Sequence, residues 1–238
     1  MANLLHGDCL ELMKTIPDKS IDMVLTDPPY GTTACNWDSV ISFDLMWEQL
    51  KRIRKENCVI AIFGSEPFSS TLRISNIKEF KYDWIWDKVN PSGFQLSKHI
   101  PMKQHEIVSI FYSKAGKYDP QKKLKEKVRY SKHYGKSSES NPLKHISEST
   151  HEIKFSFPKS ILTFSNANRT NRHHPTQKPV ALLEYLIKTY TLENETVLDF
   201  TMGSGSTGVA AKNLNRNFIG IEKDDKYFEI AKTRILNG

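Results

Sequence analysis

The chain has 238 residues and a mass of 27.4 kDa, enough for one domain of ordinary to large size or a core with one sizeable insertion. Its 34 basic and 27 acidic residues leave a net charge of +7, which suits a polyanionic partner. The three cysteines (Cys9, Cys35 and Cys58) form no C-x-x-C pair, which argues against a disulfide framework or zinc site. Asp8 and Glu11 interrupt the N-terminus where a signal peptide needs apolar residues, and no run approaches membrane-span length. A soluble protein of the cytoplasm is expected, with no membrane partner.

Short runs rich in β-branched and aromatic residues predict strands at 21–25, 58–63, 82–86, 106–112, 196–200 and 217–222. Pro179 opens a predicted helix with Val180, Leu183, Leu186, Ile187 and Tyr190 on one face, proline being well placed at a helix start. A second helix starts near Ser206 and a last one covers 224–236. This alternation predicts an α/β fold with a mainly parallel sheet.

The stretch 113–159 stands apart: it has no clear periodicity and many lysines. A charge run of this kind is commonly a solvated loop. Tyr118, Tyr130, His133 and Tyr134 are interleaved with the lysines, however, and aromatic-plus-basic composition equally suits nucleic-acid contact. The chain therefore divides into 1–112, a basic insert at 113–160, and 161–238.

Two motifs carry chemistry. The first strand ends in Thr26-Asp27-Pro28-Pro29-Tyr30-Gly31, a carboxylate, two prolines and an aromatic ring, which by itself reads as a turn. The strand at 196–200 runs into Gly203-x-Gly205-x-x-Gly208, where glycines permit a sharp turn and a helix start offers unpaired N–H groups. Glu222 closes the next strand, where an acid can accept from ribose hydroxyls. Asp199 inside the turn would repel a pyrophosphate. It suits a ligand with a cationic amino group, such as S-adenosylmethionine.

With TDPPYG and DFTMGSGSTG in one chain, the sequence resembles the amino-group DNA methyltransferases, in the permuted β-class order where the catalytic tetrapeptide precedes the cofactor turn. Leu5-His6-Gly7-Asp8-Cys9, His174-Pro175-Thr176-Gln177-Lys178-Pro179 and Asn217-Phe218-Ile219-Gly220-Ile221-Glu222 are similar to three further family segments, in the expected order. The cofactor turn departs from the common D-P-F-x-G-S-G: the proline is absent and Phe200 lies one place early.

The resemblance implies a Rossmann-like methyltransferase fold with helices on both faces of the sheet, S-adenosylmethionine as cofactor and double-stranded DNA as substrate. It implies Asp27, Pro28, Pro29 and Tyr30 as the catalytic group. It implies Asp8, Cys9, His174, Thr176, Lys178, Asp199, Phe200, Gly203, Gly205, Ser206, Thr207 and Glu222 as cofactor contacts, with Lys178 in the segment beside the methionine end. The insert falls where target recognition is carried, which favours DNA contact through Lys122, Lys123, Lys125, Arg129 and Lys132. Lys88 and Asn90 are candidates near the target nucleotide, while Trp84 and Trp86 fit equally as core. Aspartate in first place of the tetrapeptide leans towards adenine-N6 over cytosine-N4, and the family analogy suggests a homodimer. Cys35 and Cys58 lack the Pro-Cys setting of ring-carbon methylation. His105-Glu106 and His173-His174 have no partner at ligand spacing, so no catalytic metal is expected.

Overall fold

The computed structural model describes residues 1–31, 40–133, 149–166 and 177–237. In chain order the elements are β1 (Ala2–His6), α1 (Cys9–Met13), β2 (Ile21–Thr26), α2 (Phe43–Ile53), β3 (Arg54–Gly64), α3 (Phe68–Ser75) and β4 (Phe80–Ser92). A 3-10 turn at Phe94–Leu96 leads to β5 (Lys103–Phe111), followed by β6 (Lys123–His133), β7 (Ser149–Ser156) and β8 (Ile161–Thr163). The chain ends with α4 (Val180–Tyr190), β9 (Thr196–Asp199), α5 (Ser206–Asn213), β10 (Asn217–Glu222) and α6 (Asp225–Asn237). It forms two compact units, Met1–Asp119 with Ser160–Gly238, and Pro120–Lys159.

The first unit is built on an eight-stranded sheet of order β1-β10-β9-β2-β3-β5-β4-β8. All pairings are parallel except those of β5 with β3 and β4. Every residue of β2 is buried, as expected for a parallel strand covered on both faces. Period-two alternation sends Met23, Leu25, Val59, Ala61 and Phe63 into one core with Leu182, Leu183, Leu186, Ala210, Ala231 and Ile235 of α4–α6. Val24, Ile60 and Ile62 face the other core, with Met46, Trp47, Leu50 and Ile53 of α2 and Phe68 and Leu72 of α3. Each fully buried Val, Leu, Ile, Phe or Met among them contributes about 1.5–3 kcal/mol. Two apolar layers thus hold the sheet between them.

The strand order reverses beside β9. From β9 the chain passes through α5 to β10 on one side, and from β2 through α2 to β3 on the other. Such a switch point opens a crevice outside the carboxyl ends of the adjacent strands, here Thr26 of β2 and Asp199 of β9. The permutation is closed by pairing of β1 with β10, and the Met1 amino group donates to Asn217 Oδ1 at 2.8 Å.

All six strands and all three helices expected from the sequence form. The structure adds β1, β8, α1, α2 and α3. The second unit holds an antiparallel pair, β6 with β7, where the sequence suggests no regular structure. In Lys123-Leu124-Lys125-Glu126-Lys127-Val128-Arg129-Tyr130 the basic residues do alternate, but Glu126 breaks the apolar side of the pattern and hides the strand period. Residues 113–119, grouped with the insert in the sequence, are held in the first unit. Lys114 Nζ pairs with Glu56 at 2.8 Å, the Asp119 N–H donates to the Thr189 carbonyl at 2.8 Å, and the Tyr118 ring lies 6.2 Å from that of Tyr190.

Candidate active site

At the switch point the end of β2 meets the end of β9. The hydroxyl of Thr26, one residue before Asp27, lies 2.9 Å from Asp199 Oδ1 and 2.7 Å from Thr201 Oγ1. The Thr201 N–H donates to the same Asp199 oxygen at 3.1 Å. Asp199 is only 3% exposed. Burial pushes its carboxyl up to about 7, against hydrogen bonds from Thr207, Thr26 and the Thr201 N–H, with the negative charge of Asp27 adding to the rise.

The glycine-rich turn then enters α5. Gly203 and Gly205 sit at φ +51° and +79°, in the left-handed region open to glycine. A Cβ on Gly205 would lie 2.9 Å from Ala231 Cβ and from Ile235 Cδ1, so this glycine also seats α6. A Cβ on Gly203 would meet nothing within 4 Å, so that residue fronts open space. Glu222 Oε2 accepts the Gly203 N–H at 2.8 Å, and Oε1 accepts the N–H groups of Lys223 and Asp224 at 2.9 and 2.8 Å. The end of β10 is thereby tied to the turn.

Around this frame, Asp8 caps α1 by accepting the Leu10 N–H at 3.0 Å, and its second oxygen is 3.3 Å from Lys223 Nζ. Cys9 is half-buried, and burial raises its thiol to about 11; Cys58, deeper, is raised by burial to about 12. Ser206 and Thr207 are buried in the first turn of α5. Phe200, expected beside the cofactor, is buried in the core on the α1–α3 side. Its side chain packs there because the residue continues the inward alternation of β9, after Leu198.

Asp27-Pro28-Pro29-Tyr30 leaves the sheet beside Asp199. The Tyr30 hydroxyl donates to Asp27 Oδ1, and Lys178 Nζ donates to Oδ2 at 2.5 Å. The Tyr30 ring also lies 5.0 Å from that of Phe68. Lys178 immediately precedes Pro179, the N-cap of α4, and is 8% exposed. Its ammonium is 3.2 Å from Glu106 Oε2 of β5, 5.1 Å from the centre of the Phe63 ring and 6.0 Å from that of Trp86. Glu106 Oε1 is in turn 3.4 Å from Lys88 Nζ of β4.

These contacts shift proton affinities. Burial works against the Lys178 ammonium, but Asp27 and Glu106 outweigh it and hold its pKa above the usual lysine range. Burial likewise opposes ionisation of Glu106, yet Lys178 and Lys88 keep its carboxyl below the usual range. Burial raises Asp27, Lys178 opposes that rise, and Glu106 reinforces it.

Lys178, expected on the cofactor, turns to Asp27. Lys88, expected on the target nucleotide, is 6% exposed and turns inward to Glu106, so its ammonium is not presented to a surface. Asn90 is exposed, 3.4 Å from Ser165 Oγ. Trp84 and Trp86 are core residues, with Nε1 donating to Tyr190 Oη at 2.6 Å and to the Phe164 carbonyl at 2.8 Å. In the second unit Lys122 and Lys123 are exposed, Lys125 is half-buried, and Lys122 Nζ lies 5.0 Å from the centre of the Phe157 ring. Arg129 and Lys132 lie on β6, with side chains outside the described ones. His174 and Thr176, like Cys35, His173 and Tyr134, fall outside the described residues. Glu106, read in the sequence only as a rejected metal candidate beside His105, is a member of this cluster. Its signal was a lone acid directly before the apolar run Ile107-Val108-Ser109-Ile110-Phe111.

Residues 21–233 match a family described as DNA methylase, the N6/N4 methylases. The chain belongs to the N6/N4 DNA methylase family. The Type II methyltransferase M.HinfI of Haemophilus influenzae is 30% identical over 269 residues, covering 98% of this chain and 67% of that protein. The Type II methyltransferase M2.LlaDCHI of Lactococcus lactis subsp. cremoris is 29% identical, covering 100% and 90%. A crystal structure of M1.HpyAVI in complex with SAM superposes with a TM-score of 0.64 at 26% identity, covering 99% of this methylase and 100% of that chain. The PvuII DNA methyltransferase, described as cytosine-N4-specific, shares the fold, with a TM-score of 0.70 at 20% identity over 99% and 86% of the two chains. Among the described residues of this methylase, no helix is long and apolar enough to cross a membrane.

Proposed function

We propose that this Type II DNA methyltransferase acts on the N6 amino group of a specific adenine. DNA methylation follows from family membership, and S-adenosylmethionine is the cofactor. The observation that carries the adenine reading is the Asp27 carboxylate at the switch point, in first place of the D-P-P-Y tetrapeptide.

The residues fit that cofactor. Asp199 is a buried carboxyl whose hydrogen-bond donors are hydroxyls and a peptide N–H, and a cationic amino group is the partner that would ionise it. The space in front of Gly203 gives the ligand room beside Asp199, and Glu222 offers carboxylate lone pairs at the end of the next strand. Bound there, the cofactor supplies an activated methyl group whose bond to sulfur breaks with the electron pair staying on sulfur.

An exocyclic amine is a weak nucleophile because its lone pair is delocalised into the ring. Asp27 Oδ1 accepts one amine hydrogen and the Pro28 carbonyl accepts the other, which favours the pyramidal nitrogen and aims its lone pair. Proline's fixed φ holds both acceptors still. After transfer the nitrogen carries one surplus proton, and Asp27, its basicity raised by burial, receives it before release to solvent. Tyr30 leaves Asp27 Oδ1 as the amine arrives and stacks on the base. Drawing the base out of the duplex costs roughly a few kcal/mol, and stacking returns about 1–3 kcal/mol.

Lys122, Lys123 and Lys125, with Arg129 and Lys132 on β6, form the proposed DNA contact of the second unit, and Asn90 is the proposed contact of the first. A homodimer is proposed from the family resemblance alone, and sedimentation at several concentrations tests it. Incubation with duplex DNA and cofactor, followed by digestion to nucleosides and mass spectrometry, tests the base. N6-methyladenine is expected, and N4-methylcytosine as the product would overturn the reading.

A further inference from the structure

We propose that Glu106 is a positioning residue for methyl transfer, acting through Lys178 to fix the place and charge state of the Asp27 carboxylate, with Lys88 as its own counter-ion. This rests on the reading of Asp27 as the amine acceptor.

Four charged side chains from four segments form one chain of contacts. Asp27 follows β2, Lys178 precedes α4, Glu106 lies on β5 and Lys88 on β4, and the successive separations are 2.5, 3.2 and 3.4 Å. The four formal charges cancel. Both lysines are buried, and Lys178 is further enclosed by the Phe63 and Trp86 rings. Pairing of Trp86 with Glu106 across β4 and β5 sets Glu106 diagonally across from Lys88, two residues beyond Trp86 on the neighbouring strand.

Such an arrangement is poorly explained by stability. Buried ion pairs roughly break even against apolar side chains of similar volume, because desolvation offsets their attraction. The backbone next to Lys88 is also strained. Val89 sits at φ +67°, a conformation β-branched residues avoid, with its N–H held by Asp87 Oδ1 at 2.9 Å.

The arrangement does explain how Asp27 stays a usable acceptor. A lone ammonium this close would hold the carboxylate as a tight pair and weaken it as a base. Glu106 shares the ammonium and adds its own negative field, so Asp27 is held in place yet remains basic. Lys88 keeps Glu106 ionised, so that the sharing persists. The charged and titratable groups facing Asp27 are Lys178, Glu106, Tyr30 and Asp199, while Lys88 and Lys103 face Glu106. Lys103 is taken up by a hydrogen bond to Ser65 Oγ.

Methyl transfer needs ionised Asp27, so the rate falls as pH drops through the Asp27 pKa. Removing the negative neighbour in Glu106→Gln lowers that pKa and moves the acid limb of the kcat profile down by about 1 unit. Removing the positive neighbour in Lys178→Gln moves the same limb up. Glu106→Gln should also reduce kcat about 10- to 100-fold through misplacement of Asp27, with KM for DNA and for S-adenosylmethionine within about twofold. Glu106→Asp keeps the charge, so it should return the acid limb to the wild-type position.

The experiment is the kcat–pH profile of the full-length protein and these variants on duplex DNA, with thermal unfolding as a control on folding. Acid limbs that do not move, or that move the same way in Glu106→Gln and Lys178→Gln, overturn the proposal, as does a wild-type kcat in Glu106→Gln. If Glu106→Gln does not fold, Glu106→Asp and Lys178→Gln still decide: a limb shifted by Glu106→Asp, or not raised by Lys178→Gln, overturns it. Asp27→Ala assayed alongside separates the two levels. An active Asp27→Ala enzyme overturns the underlying reading of Asp27. An inactive one with unmoved limbs overturns only the role of Glu106.

Discussion

The Thr26 hydroxyl lies 2.9 Å from Asp199 Oδ1, joining the strand that presents Asp27 to the strand that opens the glycine-rich turn. Thr26 is buried, and its hydroxyl also meets Thr201 Oγ1 at 2.7 Å. Thr26→Val keeps the shape and leaves a buried carboxyl short of a donor. Stability should fall by about 1–3 kcal/mol, read as a lower denaturation midpoint. An unchanged midpoint would mean that the bridge carries no energy.

As the proposed partner of the cofactor's amino group, Asp199 would link cofactor affinity to pH. Burial raises its carboxyl from 3.8 to about 7 in the free protein, so the folded state holds a proton there that the unfolded chain has lost. Stability from this group is therefore present below the unfolded value and declines as pH rises from 3.8 to about 7. A cationic ligand binds the ionised form, so S-adenosylmethionine should bind more tightly as pH rises towards 7, by up to about tenfold per pH unit. Calorimetry should detect proton release on binding near pH 6. Asp199→Asn should bind weakly and without this pH dependence, and a pH-independent Kd in the wild type would contradict the assignment.

Tyr30 has two separable properties. Its hydroxyl holds Asp27 Oδ1, and its ring is the proposed platform for the flipped base. Tyr30→Phe keeps the ring and should methylate within a fewfold of wild type. Tyr30→Ala loses stacking worth about 1–3 kcal/mol, seen as a roughly 5- to 150-fold drop in kcat/KM on duplex DNA. Equal activity of the two variants would remove stacking from the account.

The sheet was legible because its central strands are short apolar runs with turns between them. Residues 21–25 and 58–63 read as strands on composition alone and form the buried middle of the sheet. Helices α1 and α3, of 5 and 8 residues, are too short to show a period. In α2, by contrast, Met46, Trp47, Leu50 and Ile53 were there to be read as one face. The two motifs marked the ends of β2 and β9, but not that these ends are neighbours, which depends on strand order. The inward turn of Lys88 and Lys178 was invisible for a related reason. A lysine in a basic protein reads as surface until a buried carboxylate, here Glu106, is found facing it.

The basic unit predicts a salt effect. Replacing Lys122, Lys123 and Lys125 together by alanine should weaken DNA binding and reduce the slope of log K against log salt by about 0.9 for each lysine that meets a phosphate. The rate at saturating DNA should stay near wild type. Binding measured by fluorescence anisotropy from low to moderate salt checks this, and an unchanged slope would place the phosphate contacts elsewhere.

The Asp27 carboxylate, at the end of β2 and beside Asp199, is proposed to hold the attacking amine. Single-turnover methyl transfer by Asp27→Ala, with cofactor binding measured on the same preparation, tests it most directly. Transfer should fall by roughly 10²–10³-fold or more, while S-adenosylmethionine still binds. Transfer at the wild-type rate would contradict it.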